Sequence, residues 1–75
     1  MHFIEITGRQ LARIVSDDEI SVSDLQRSGV DEDTVVRINQ QGDIEIRRPD
    51  RWDVIGGLLG NFEERITKAT GRTWA

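Results

Sequence analysis

The chain has 75 residues, no cysteine, one histidine and a formal net charge of −4. A chain this short makes a single domain, residues 1–75, that buries only roughly 60% of its unfolded surface, and it has no disulfide to reinforce it. These numbers argue against a histidine-dependent catalytic triad, a zinc site built on Cys and His, and a surface made for phosphate contacts.

Taken from the start, His2 to Ile6 alternates polar and apolar residues, which predicts a short strand ending at Thr7-Gly8. Thr7 and Gln10 have the spacing of a capping box, with Leu11, Ile14 and Val15 facing inward from a helix near residues 8–15. Ser16-Asp17-Asp18-Glu19 ends it. Ser23 and Gln26 repeat the capping-box spacing, and Gly29 suits the left-handed C-terminal cap of a helix from Asp24 to Ser28. Such a cap packs Val30 back on Leu25.

Val35-Val-Arg-Ile-Asn39 and Asp43-Ile-Glu-Ile-Arg47 flank Gln40-Gln41-Gly42 and predict a β-hairpin. A two-residue loop would set Ile38 against Glu45 and mix the faces. A three-residue loop pairs Ile38 with Ile44 and Val36 with Ile46 on one face, and Arg37 with Glu45 on the other. Gly42 then takes the left-handed position of that loop.

Pro49 stops the strand because it cannot donate to a ladder. From Asp50 to Gly71 the residues Trp52, Ile55, Leu59, Phe62, Ile66 and Ala69 recur at steps of three and four, the spacing of one helical face. The expectation is a long helix over 51–70, capped by Asp50 and ended by Gly71. Gly56, Gly57 and Gly60 lie within it, each costing about 1 kcal/mol relative to alanine. Either the helix breaks near Gly60 and restarts on Asn61, or it is continuous and another backbone approaches the glycines. The continuous form is the one expected. The tail ends in Trp74, expected to fold back over the core.

Residues 17–33 carry Asp17, Asp18, Glu19, Asp24, Asp31, Glu32 and Asp33 against Arg27 alone. Asp17-Asp18-Glu19 has oxygens for a hard cation, but lacks the glycine and terminal glutamate of a calcium loop and reads as a solvated turn. His2 has no cysteine to join it, so no metal, no cofactor and no catalytic residue is assigned, and the chain is not expected to be an enzyme. No apolar run approaches the ~20 residues of a membrane span. The N-terminus lacks the parts of a signal peptide, which points to the cytoplasm.

Two sets of residues are candidates for contact. On the expected long helix, Gly56, Gly57 and Gly60 fall opposite the apolar stripe and, with Trp74, form a candidate protein-contact surface. Arg37, Arg47, Arg48 and Arg51 form the best basic patch for nucleic acid, facing Asp43, Glu45, Asp50 and Asp53 as local partners.

Ile20-Ser-Val-Ser-Asp-Leu25, then Gly29-Val30, then Asp43-Ile-Glu-Ile-Arg-Arg-Pro49 after a glycine turn resembles the swapped-hairpin domain of AbrB-like regulators and antitoxins. The resemblance spans residues 20–49 and implies a small dimeric β-barrel that binds DNA through arginines. The chain departs from that pattern at Ser21, at Asp33-Thr34 and in its acidic first segment. The same region is also similar to a winged helix of the DeoR type.

The expected fold is α+β: a short N-terminal strand, two short helices, a β-hairpin and a long C-terminal helix packed on the sheet. The expected function is a small non-enzymatic protein-binding module that self-associates as a homodimer through the long helix or a sheet edge. A dimeric DNA-binding regulator or antitoxin-like protein is the alternative.

Overall fold

A computed structural model describes residues 2–16, 18–72 and 74. Its elements are β1 (Phe3–Thr7), α1 (Gly8–Ile14), α2 (Val22–Arg27), β2 (Val35–Asn39), β3 (Asp43–Arg47), β4 (Trp52–Gly57) and α3 (Phe62–Thr70). The architecture is α+β. The four strands form one antiparallel sheet in the order β1-β2-β3-β4.

The hairpin has the register that its side chains demand. Val36 pairs with Ile46, Arg37 with Glu45 and Ile38 with Ile44. Gly42 turns the loop at φ 90°, and its N–H donates to the Asn39 carbonyl at 3.0 Å. β1 adds to β2 through five regular pairs, from Phe3–Asn39 to Thr7–Val35. Ile4, Ile6, Val36, Ile38, Ile44 and Ile46 are therefore all on one face, and all are buried. Leu11 and Ile14 of α1, Leu25 of α2 and Ile66 of α3 complete that core, with Ile20, Val30 and Leu58 from the connections.

The expected caps of α1 and α2 hold, with one shift. Thr7 and Gln10 form the capping box, at 3.2 and 3.0 Å. In α2 the N-cap is Ser21 rather than Ser23: its hydroxyl accepts from the Asp24 N–H at 3.1 Å, and the helix starts two residues earlier. Gly29 has φ 96°, and the Val30 N–H reaches the Leu25 carbonyl at 2.9 Å. This closes the helix as the glycine cap requires.

The long helix is corrected. Residues 52–57 form β4, the fourth strand, and the C-terminal helix has only 9 residues. A tight turn leads into β4, with the Arg48 N–H bonded to the Arg51 carbonyl at 2.7 Å, so Asp50 caps no helix. Val54 and Ile55 are β-branched and two glycines follow, a composition poor for a helix. The free edge of β3 offers that segment a ladder of hydrogen bonds. Step-three and step-four spacing cannot tell such a segment from a helix over so few residues. The chain does break at Gly60, which has φ 64°, and α3 starts after Asn61. Of the six residues of the apolar stripe only Ile66 is fully buried, and Leu59 is 64% exposed.

Gly8 is where α1 meets the connection into β2. Its N–H donates to the Thr34 carbonyl at 2.8 Å, and a Cβ there would lie 1.8 Å from the Asp31 carbonyl oxygen and 2.8 Å from Val30 Cγ1. Backbone blocks the added atom, so Gly8→Ala is expected to cost about 3 kcal/mol or more in urea unfolding. Gly57→Ala, whose Cβ would meet nothing closer than 4.0 Å, is expected to change stability by less than about 1 kcal/mol.

Candidate functional site

The alternation that buries six aliphatic residues on one face sends their neighbours to the other. Across the sheet, Glu5 pairs with Arg37, Arg37 with Glu45 and Glu45 with Val54. Phe3 lies opposite Asn39, and Trp52 opposite Arg47. The core helices pack on the aliphatic face, so this second face is the open one.

Arg37 is its centre. The guanidinium carbon lies 4.0 Å from the centroid of the Trp52 ring and 4.9 Å from that of Phe3. Its Nε donates to Glu45 Oε1 at 2.5 Å. Asn39 Nδ2 donates to Glu45 Oε2 at 3.2 Å and to Asp43 Oδ2 at 3.0 Å. A flat cation between two rings is favourable for both, and it shields the carboxylate beneath. Glu45 is only 8% exposed although it points away from the core. Around this network stand the apolar Val35, 48% exposed, Val54, 56% exposed, and the half-buried Phe3 and Trp52, together with the exposed charges of Glu5 and Arg47.

The basic patch is dispersed into ion pairs. Arg37 is held by Glu45, Arg48 Nε by Asp53 at 3.1 Å, and Arg51 by Asp50 at 3.3 Å. Arg48 also donates to the Ser28 carbonyl at 3.2 Å. Among the described residues no carboxylate lies within ion-pair distance of Arg47.

The candidate contact glycines are not on a helix. Gly56 and Gly57 lie in β4, and Gly60 in the loop that follows. The helical surface that motivated them does not form. Gly56 faces Ile20, whose Cδ1 would be 3.2 Å from an added Cβ. Trp74 packs back, its ring edge-on to Phe62 with centroids 6.4 Å apart at 80°.

The acidic turn has a structural partner. Arg65 of α3 clasps Glu19 with two N–H groups, at 2.9 Å and 2.6 Å, and donates as well to the carbonyls of Ile14 and Leu59. Glu19 also accepts from the N–H groups of Ser16 and Leu59. Its side chain is 2% exposed. Both Glu19 oxygens are engaged, Asp18 is exposed, and Asp17 lies outside the described residues. Among the described residues no group of three or more His, Cys, Asp and Glu is placed to hold a metal ion.

Two of these features went unread in the sequence. Trp52, expected in the core stripe, instead stacks on Arg37. The Glu19–Arg65 pair spans 46 residues, and no local pattern announces it. Phe3 had a signal: the strand alternation places it opposite to Ile4 and Ile6. Comparison of the chain with protein-family models, with curated proteins and with solved structures finds no match.

Removing one partner of a buried ion pair strands the other. Arg37→Met should therefore destabilise by about 3 kcal/mol, and Arg37→Met with Glu45→Gln by clearly less, measured by urea unfolding as a double-mutant cycle. For Glu19, hydrogen bonds from Arg65 hold the carboxyl down at about 2 against an ordinary 4.5. Below pH 4.5 the unfolded chain binds this proton first. The stabilisation is thus complete above 4.5 and lost as pH falls toward 2, by at most about 3 kcal/mol. Glu19→Gln should be less stable than the parent at neutral pH, with the gap closing between pH 4.5 and 2 in acid titrations of the unfolding free energy.

Proposed function

We propose that the chain is a small non-enzymatic protein-binding module that associates with a second copy of itself. The open face of the sheet carries the proposal. At its centre the polar groups of Arg37, Glu45, Asn39 and Asp43 already bond to one another, while Glu5 and Arg47 stand exposed toward its margins. A partner meeting this central network would strand few of them, so dehydration there costs little. The apolar surface the face offers is the exposed Val35 and Val54 and the rims of Phe3 and Trp52, with Val54 and Trp52 bordering a sheet edge. An aromatic and aliphatic surface around a stacked arginine has the composition of an interface centre.

The alternative proposal, a dimeric DNA-binding regulator or antitoxin-like protein, needs guanidinium groups free to meet phosphates. Arg37, Arg48 and Arg51 are each held by a carboxylate, and the net charge is −4. That leaves too few contacts for the counterion release that drives such binding.

Sedimentation velocity over a concentration series should show a reversible monomer–dimer equilibrium, and titration with duplex DNA at low salt should show no binding. A strict monomer at millimolar concentration would end the self-association reading. Salt-dependent DNA binding lost in Arg47→Ala with Arg48→Ala would favour the alternative.

A further inference from the structure

A four-stranded open sheet has two edges, and here they differ. β1 is paired only with β2, and β4 only with β3. Unpaired backbone at an edge is a template for a further strand unless something blocks it. β1 carries Glu5 at its midpoint, exposed and with no ion-pair partner among the described residues. Two β1 strands related by a two-fold axis through their centre would set Glu5 against Glu5, which opposes pairing. β4 reads Trp52-Asp53-Val54-Ile55-Gly56-Gly57. Its single charge, Asp53, is held by Arg48 at 3.1 Å.

The side chains of β4 are also self-complementary. Trp52 pairs with Arg47 and Gly57 with Asp43, so both belong to the open face. Asp53 pairs with Ile46 and Gly56 with Ile44, on the core side. Residues five apart on a regular strand would point to opposite faces. The irregularity between Ile44 and Glu45 inserts one extra residue in β4 and brings Trp52 and Gly57 to the same face. An antiparallel pairing of β4 with a second β4, centred between Val54 and Ile55, then sets Trp52 opposite Gly57 of the other copy, and Asp53 opposite Gly56. Each larger side chain meets a glycine on its own face, and no two like charges meet.

Resting on the self-association proposed above, we infer that the second copy enters at the β4 edge, where Trp52 and Val54 of the open face lie, and that two copies join through it into one eight-stranded sheet with a continuous open face. The interface is isologous, so every contact occurs twice. Its bulge limits the length of the shared ladder, and the area is at the small end for a specific interface, so the dimer is weak and concentration-dependent.

The test uses the full chain and three variants in sedimentation velocity, with thermal unfolding as the check on folding. Gly57→Val suits the strand and, with nothing closer than 4.0 Å to its Cβ, leaves the monomer intact while blocking Trp52 of the other copy. Val54→Lys sets like charges beside the two-fold axis. Both are expected to weaken the dimer about tenfold or more, with the melting temperature of the dilute monomer unchanged or raised for Gly57→Val. Glu5→Lys, on the other edge, is expected to leave the dimer intact. Amide exchange in residues 53–57 should slow as concentration rises. A dimer that forms equally well with Gly57→Val and Val54→Lys overturns the β4 assignment and leaves the self-association standing. A strict monomer overturns both.

Discussion

The register between β2 and β3 is the constraint on which the rest of this structure depends. Val36, Ile38, Ile44 and Ile46 all point one way only if Arg37 stands opposite Glu45. A slip of one residue would send Ile44 and Ile46 of β3 to water and turn Asp43, Glu45 and Arg47 toward the core. Gly42 keeps the loop at the one length that allows this register, through a backbone conformation that other residues rarely adopt. Once the hairpin exists, β1 and β4 have edges to join, and α1, α2 and α3 have an apolar face to cover.

The same register makes the second face. Arg37, fixed opposite Glu45, becomes the platform on which Trp52 and Phe3 rest. These aromatic residues come from the two outermost strands, and each lies against the Arg37 guanidinium at the centre of the sheet. The open face is therefore an ordered arrangement and not only a solvated surface. Its central charges, Arg37 and Glu45, are neutralised within the chain, while Glu5 and Arg47 stand exposed.

Charge is used throughout as local fastening. The acidic excess of residues 17–33 is partly taken up by distant arginines. Glu32 meets Arg9 at 2.8 Å, and Glu19 meets Arg65. The first is exposed and contributes little. The second is shielded, bidentate and backed by backbone N–H groups, and it ties the connection before α2 to the loop before α3 and to α3 itself. In a 75-residue chain with no disulfide, that pair adds a polar fastening beside the buried Ile20, Leu58 and Ile66.

The sequence by itself determined what depends on neighbours along the chain. The strand from Phe3, the Thr7–Gln10 box, the Gly29 cap and the hairpin with its register all follow from steric preferences and alternation within a dozen residues. Tertiary structure decided the identity of residues 52–57. Their spacing suits a helix, their β-branched residues and glycines suit a strand, and the unpaired edge of β3 tipped the balance by offering hydrogen bonds that a helix would otherwise have supplied within itself. It also decided which aromatics meet Arg37 and which arginine meets Glu19, because those partners are brought together only when the sheet and its helices close. The candidate site was half legible for the same reason: alternation named the Arg37–Glu45 pair, while its aromatic cover had to wait for a fourth strand that no short-range pattern distinguishes from a helix.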